Sequence, residues 1–196
     1  YNLENLLVES SFFKLGGFAT GTQVNALDIT PDSIYVATTQ GLAVASLDSN
    51  LIESRNWTNY DQSNGLPAEI VRDVEVVGTT IYSLVGKKVF IFDGNNWSLA
   101  PAFSGYEVNT ISKNTNLTEL GAATDNALLI AGSNSNVEVR NLTMESSITG
   151  LLFEGEKMYV GTSNEGLLVL ENLHATPEKY LPTGPYLNFF NELLFD

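Results

Sequence analysis

The sequence predicts an all-β fold, a β-propeller built of four-stranded antiparallel blades. Three observations lead to it. Four segments of similar pattern follow one another, at residues 29–48, 76–94, 122–141 and 152–172. Each contains short runs rich in Val, Ile, Tyr and Phe between Gly, Asn and Asp turns, which is typical of short strands. Helical periodicity is nearly absent, so the repeated unit is a small sheet rather than a helical hairpin.

An apolar triplet marks the register of each repeat. The triplets are Ile34-Tyr35-Val36, Ile81-Tyr82-Ser83, Leu128-Leu129-Ile130 and Met158-Tyr159-Val160. Their spacings are roughly 47, 47 and 30 residues, near the ~40–50 residues of a propeller blade.

The second repeat is the most complete. Gly78-Thr79 and Gly86-Lys87 are expected to be tight turns, because glycine adopts positive φ without steric cost. Residues 93–96 turn the chain again, and Trp97 begins an outer strand. The segment therefore predicts a four-stranded meander, which is one blade.

Residues 57–76 form a junction between two blades. Trp57 and Tyr60 belong to the outer strand of one blade, and 70–76 form the innermost strand of the next. Leu66 and Pro67 set the approach to that strand, since proline locks φ and cannot donate in the ladder. A similar junction follows at residues 180–195.

These patterns divide the chain into approximate blades at residues 23–60, 68–100, 107–143 and 147–182, with the start of a further blade at 186–196. Closed propellers typically have about four to eight blades, and an open stack would expose sheet edges. We therefore expect residues 1–196 to be part of a larger propeller. The alternative is that partner segments complete the ring.

Composition excludes several classes of function. A net charge of −14 and a pI near 4.2 are unsuited to nucleic acid or to an anionic membrane surface, which both attract clustered Lys and Arg. The chain has no cysteine, so disulfides, thiolate metal sites and a cysteine nucleophile are excluded. No apolar run approaches the ~18 residues of a membrane span.

The motifs of catalysis are also missing, and we expect no enzyme, cofactor or metal site. His174 is the only histidine, and HExxH, P-loop and GxGxxG patterns do not occur. Glu69, Asp73 and Glu75 share parity on a strand and would project to one face. We interpret that face as solvent-exposed, since an acid/base pair would require a drier site that raises a pKa.

Binding is the remaining class, and loops 59–69 and 183–188 are the candidate recognition loops. Aromatic and amide side chains suited to sugar or protein contacts are Trp57, Tyr60, Asn64, Tyr186 and Asn188. The alternative for Trp57 and its counterpart Trp97 is packing between neighbouring blades.

The repeats resemble a known family. Residues 37–46 (ATTQGLAVAS) and 160–170 (VGTSNEGLLVL) are similar to the strand-turn-strand of two-component-regulator propeller repeats. Residues 57–67 resemble the junction between such blades. The third repeat, around Leu128, departs from the pattern.

The family occurs in extracytoplasmic propellers of Bacteroidetes. It includes PorZ-type surface components of the type IX secretion system and glycan-sensing halves of hybrid histidine kinases. Residues 181–188 and Tyr35 are more similar to the PorZ type. The resemblance implies a binding or scaffolding protein at the periplasm or cell surface. Its partners would be proteins of a secretion or signalling complex, with lipopolysaccharide or glycan as ligands. The alternatives are a periplasmic glycan-sensing domain and a carbohydrate-active propeller enzyme.

Overall fold

The computed structural model describes residues 13–114, 118–132 and 136–181, which form sixteen strands in four sheets. The first sheet has strands β1 Val24–Ile29, β2 Ser33–Thr38, β3 Gly41–Ser46 and β4 Trp57–Tyr60. The second has β5 Val71–Val77, β6 Thr80–Val85, β7 Lys88–Phe92 and β8 Trp97–Leu99. The third has β9 Thr110–Asn114, β10 Glu119–Ala123, β11 Ala127–Ala131 and β12 Val137–Asn141. The fourth has β13 Ile148–Glu154, β14 Lys157–Thr162, β15 Leu167–Leu170 and β16 Glu178–Tyr180.

Each sheet is an antiparallel meander whose strands follow chain order from the innermost to the outermost. Short 3₁₀ turns at Ser54–Asn56, Gln62–Asn64 and Pro101–Phe103 are the helical elements of the described residues. Within those same residues no helix has the length and apolar character needed to span a bilayer. The predicted all-β propeller architecture is confirmed.

The apolar cores lie between sheets rather than within one. Three clusters join the first sheet to the second, the second to the third and the third to the fourth, and a fourth cluster covers the outer face of the first sheet. The innermost strands β1, β5, β9 and β13 contact one another in that order. They line a channel of about 670 Å³.

Each core receives one large side chain from the segment that precedes an innermost strand. These residues are at most 5% exposed, and each belongs to a different core: Phe18, Leu66, Phe103 and Leu142. Burying such a side chain contributes about 1.5–3 kcal/mol. This explains the Gly-Leu-Pro sequence of the first junction: Gly65 turns the chain at φ 103°, and Leu66 then anchors it.

Three of the four innermost strands carry a β-bulge near their start. The register shifts between Val24 and Ala26, between Val71 and Asp73, and between Ile148 and Gly150. A bulge adds one residue and switches the side on which the following side chains lie. Val71 and Val74 consequently share one core although they lie three positions apart, an offset that would place them on opposite faces of a regular strand.

One register mark of the sequence analysis is wrong. Three of the apolar triplets lie on the second strand of a sheet, but Leu128-Leu129-Ile130 lies on β11, a third strand. The second strand of that blade is β10, whose sequence is ELGAA. Gly121 leaves room there for Phe153 of the neighbouring sheet, whose ring lies 2.4 Å from where a Cβ would stand. With Leu120 as its single large apolar residue, β10 shows no apolar triplet, which explains the irregular spacing.

Candidate functional site

A polar cavity of about 980 Å³ opens on the face where the junctions between sheets lie. The loop after β4, the β2–β3 turn and the bulges of β1 and β5 form it. Its lining residues are Asn25, Thr39, Gln40, Asp61, Gln62, Ser63, Pro67, Ala68, Glu69, Ile70, Arg72 and Gly86. The cavity therefore includes much of the predicted recognition loop 59–69.

Hydrogen bonds within the loop hold its backbone in one conformation. Asp61 accepts from the backbone amide of Ser63 at 2.8 Å and from its hydroxyl at 2.6 Å. The Asn64 side chain accepts from the Asp61 amide at 2.6 Å and donates to the Asn59 carbonyl at 2.8 Å. The Ser63 hydroxyl and amide lower the pKa of Asp61. The wall of the cavity is thus ordered before any ligand binds, which reduces the entropy cost of binding.

The predicted binding residues lie in different environments. Trp57 is buried beside Leu15 and Phe18. Tyr60 is half-buried, and its ring meets those of Phe92 and Trp97 edge-on at 5.0 and 5.7 Å. Asn64 is exposed in the loop beside the cavity. Tyr186 and Asn188 lie outside the described residues, as does the further blade at 186–196. The binding role of these residues stays a prediction.

Four residues, one from each innermost strand or its approach, surround the mouth of the channel on the same face. Asn25, Arg72 and Thr149 are the extra residues of the three bulges, and Asn109 lies directly before β9. The Asn25 amide donates to the Val71 carbonyl at 2.7 Å. The Asn109 amide donates to the Ile148 carbonyl at 3.1 Å. Both asparagines therefore connect their own sheet to the next one.

A charged cluster lies deeper in the channel, where three sheets meet. Asp28 of β1 accepts from the Val76 amide of β5 at 2.7 Å and pairs with the Lys113 ammonium of β9. Glu75 of β5 lies 3.7 Å from the same ammonium. The innermost strand of a sheet leaves some backbone amides without a ladder partner. Here carboxylates of the preceding sheet satisfy them.

Burial alters the titration of two of these carboxyls. Desolvation raises the pKa of Asp73 to about 7, although hydrogen bonds from the Val74 and Ile111 amides act in the opposite direction. Desolvation, followed by the charges of Asp73 and Asp28, raises the pKa of Glu75 to about 8. Both carboxyls are half-buried and line the channel, so the prediction that they lie on a solvent-exposed face is wrong.

Glu69 does not share their face, because the β5 bulge lies between it and Asp73. It is exposed and lines the outer cavity instead.

The channel cluster is suited to holding sheets together. The pKa values of Asp73 and Glu75 both shift upward. An acid/base pair instead needs two groups whose pKa values move apart. Across the described residues, no three His, Cys, Asp or Glu side chains are arranged to hold a metal ion. The lone His174 is exposed and contacts Glu138 at 2.7 Å.

Sequence reasoning missed Asn25, Arg72, Asp28 and Lys113. The signal that could have found them is their matching position in successive repeats. That match becomes visible only when each bulge is placed, since one inserted residue reverses the parity of everything after it.

No family model matches the chain, and no curated protein is significantly similar to it. Solved structures do match. The extracellular domain of BT4673 from B. thetaiotaomicron, described as a hybrid two component system, is 18% identical with a TM-score of 0.70. The match covers 93% of this chain and 26% of that one. PorZ, an essential surface component of the type-IX secretion system of Porphyromonas gingivalis, is 17% identical with a TM-score of 0.63, covering 85% of this chain and 22% of that one.

The virginiamycin B lyase of Staphylococcus aureus also matches, at 9% identity and a TM-score of 0.61, over 83% of this chain and 57% of that one. The resemblance to two-component-regulator and PorZ propellers is confirmed as a likeness of structure. At these identities the likeness shows the fold alone. The chain spans about a quarter of the first matched structures. Because an enzyme has the same blades, the fold does not decide between binding and catalysis.

Proposed function

We propose that this chain is a binding propeller of an exported protein and that recognition occurs on the junction face. The observation that carries the proposal is the cavity of about 980 Å³, which has mostly polar lining residues and a hydrogen-bonded wall. Rigid scaffolds that present recognition loops are the usual basis of binding by β domains. Uncharged polar side chains and charged side chains of both signs line this cavity. Such a lining suits a hydroxylated ligand or a polar protein loop.

The first specific candidate is a component of a surface secretion complex similar to PorZ. The sequence pattern around Tyr35 and at residues 181–188 supports it, together with the structural likeness to PorZ. In this role the propeller would bind protein partners of the complex or lipopolysaccharide at the cell surface.

The second candidate is a glycan-sensing domain on the periplasmic side. The longer structural match supports it, since BT4673 aligns with 93% of the chain at a TM-score of 0.70, against 85% and 0.63 for PorZ. Here the cavity would bind a soluble oligosaccharide.

A carbohydrate-active enzyme is the third candidate and the least supported one. Its test is turnover of polysaccharides by the chain and by an Asp73→Asn/Glu75→Gln variant. Turnover that the variant loses would replace the binding proposal with an enzymatic one.

The decisive experiment combines a glycan array with affinity capture of periplasmic and surface material. Ala68 is exposed on the cavity wall, and Ala68→Trp would obstruct part of the cavity without removing a side-chain hydrogen bond. Asn95 is exposed in the β7–β8 turn on the opposite face, and Asn95→Trp is the matched control. We expect Ala68→Trp to weaken binding at least ~10-fold, about 1.4 kcal/mol, and Asn95→Trp to have no effect. Equal binding by both variants would exclude the junction face.

A further inference from the structure

Arg72 occupies a central position on the junction face. It is the extra residue of the β5 bulge, and bulges redirect side chains next to functional sites. Three cavities, of about 980, 670 and 380 Å³, share it as a lining residue. The side chain therefore stands where the outer cavity and the channel meet.

Arg72 differs from the other two arginines of the chain. Arg55 pairs with Glu53 at 2.5 Å, and the Nε of Arg140 is buried. Arg72 is exposed, and it donates to the Gly86 carbonyl at 3.3 Å. It forms no salt bridge within the described part of the chain, although its charge lowers the pKa of neighbouring Asp73. An arginine that stays outside salt bridges in so acidic a protein has its fork of donors available for a ligand.

The groups beside Arg72 complete a recognition surface. The amide nitrogens of Asn25 and Asn109 already donate to the next sheet. Each amide oxygen is then the group left to accept from a ligand hydroxyl. Arg72 supplies donors in a planar fork that matches a carboxylate.

We propose that the channel mouth binds a small ligand bearing one carboxylate beside hydroxyl groups, with Arg72 holding the carboxylate. This inference rests on the proposed binding function of the junction face and specifies the ligand class. Charge-assisted, bidentate hydrogen bonds are about twice as strong as neutral ones. Surrounding carboxylates such as Glu69 and Asp125 would disfavour a polyanion, so a single negative charge is expected.

The test uses the full 196-residue chain and the Nε–Hε NMR signals of its arginines. D-Galacturonate and D-galactose are the probes, since they differ in the carboxylate. We expect galacturonate to shift the Arg72 signal saturably and to leave the Arg55 signal unchanged. Galactose should bind at least ~10-fold more weakly. Arg72→Lys should weaken galacturonate binding several-fold, and Arg72→Gln should remove it, with thermal unfolding showing that both variants remain folded.

N-Acetylglycylglycine, a peptide carboxylate without sugar hydroxyls, distinguishes the source of the carboxylate. Tighter binding of galacturonate than of this peptide supports the proposed ligand class, and the reverse order would overturn it in favour of a peptide terminus. Two further results would overturn the inference: no saturable Arg72 shift with either acid, or galacturonate affinity unchanged in Arg72→Gln. Equal binding of galactose and galacturonate that Ala68→Trp abolishes would also overturn it, while leaving the proposed binding function standing.

Discussion

The innermost strands β5 and β13 share a bulge and a pairing pattern but differ in what they present to the channel. Glu75 of β5 lies opposite Tyr82, and Leu152 of β13 lies opposite Tyr159. At the same position of β1, Asp28 lies opposite Tyr35. The repeat thus specifies the strand and its partner, while the residue that faces the channel changes from sheet to sheet. The charged side of the channel ties three sheets together, whereas the fourth sheet is joined to the third by apolar contact and by hydrogen bonds from the neutral amides of Asn109 and Asn114.

The largest expected effect is a dependence of stability on pH. Asp73 and Glu75 have folded pKa values of about 7 and about 8, above those of the unfolded chain. Their contribution to the free energy of unfolding is therefore complete below about pH 4 and is lost as pH rises through 7 and 8. With these two pKa values the loss between pH 5 and pH 9 is roughly 7 kcal/mol, because Asp73 contributes over about two pH units and Glu75 over about three.

Asp73→Asn/Glu75→Gln should remove most of that slope, and an exposed control, Glu145→Gln, should leave it unchanged. Denaturant titrations at both pH values measure it. A wild-type chain that is more stable at pH 9 than at pH 5 would contradict the assignment of raised pKa values.

The next effect comes from removing Asp28. Asp28→Ala leaves the Val76 amide and the Lys113 ammonium without the carboxylate that they share. Breaking a buried ion pair from one side costs about 3–5 kcal/mol. Leu152→Ala, at the equivalent place on β13, should cost about 1 kcal/mol because Leu152 is half-buried. Urea denaturation measures both, and equal losses would mean that the channel charges do not connect the sheets.

A smaller effect is expected from the asparagines that connect neighbouring sheets. Asn25→Ala and Asn109→Ala each remove a hydrogen bond to the next sheet and should lower the free energy of unfolding by about 1 kcal/mol. The two losses should add, because the residues act at different junctions. A double variant that loses far more or far less than the sum would show that the junctions are coupled.

The smallest effect concerns two tryptophans at equivalent places on the outer strands. The Trp57 Nε1 donates to the Leu51 carbonyl at 2.9 Å, whereas the Trp97 Nε1 is buried with no partner among the described residues. Both tryptophans are buried, so each substitution leaves a cavity. Trp57→Phe should cost about 1 kcal/mol more than Trp97→Phe, because it also removes the hydrogen bond to Leu51. Thermal unfolding of the two variants measures the difference, and the reverse order would contradict a stabilising role for the Trp57 hydrogen bond.

Much of the fold could be predicted from local pattern. Turn glycines such as Gly78 and Gly86 and the alternating strands between them define a blade, because both signals are short-range. The outer strand with Trp57 and Tyr60 was predicted in the same way and is β4. The prediction was wrong at β10, where Gly121, Ala122 and Ala123 are buried but too small to mark the strand as an apolar triplet.

The sequence by itself determined the repeat, its all-β character and the net charge of −14, from which we expect no nucleic-acid partner. Only the tertiary structure decided which side chains meet in the channel. Asp28, Glu75 and Lys113 come from three different sheets, far apart along the chain, and bulges on β1 and β5 set the side on which their carboxylates lie. A one-residue insertion is invisible in strand propensity, yet it reverses the face of every residue after it. Propensity is a property of neighbouring residues, while the burial that raises a carboxyl pKa depends on the whole assembly of sheets.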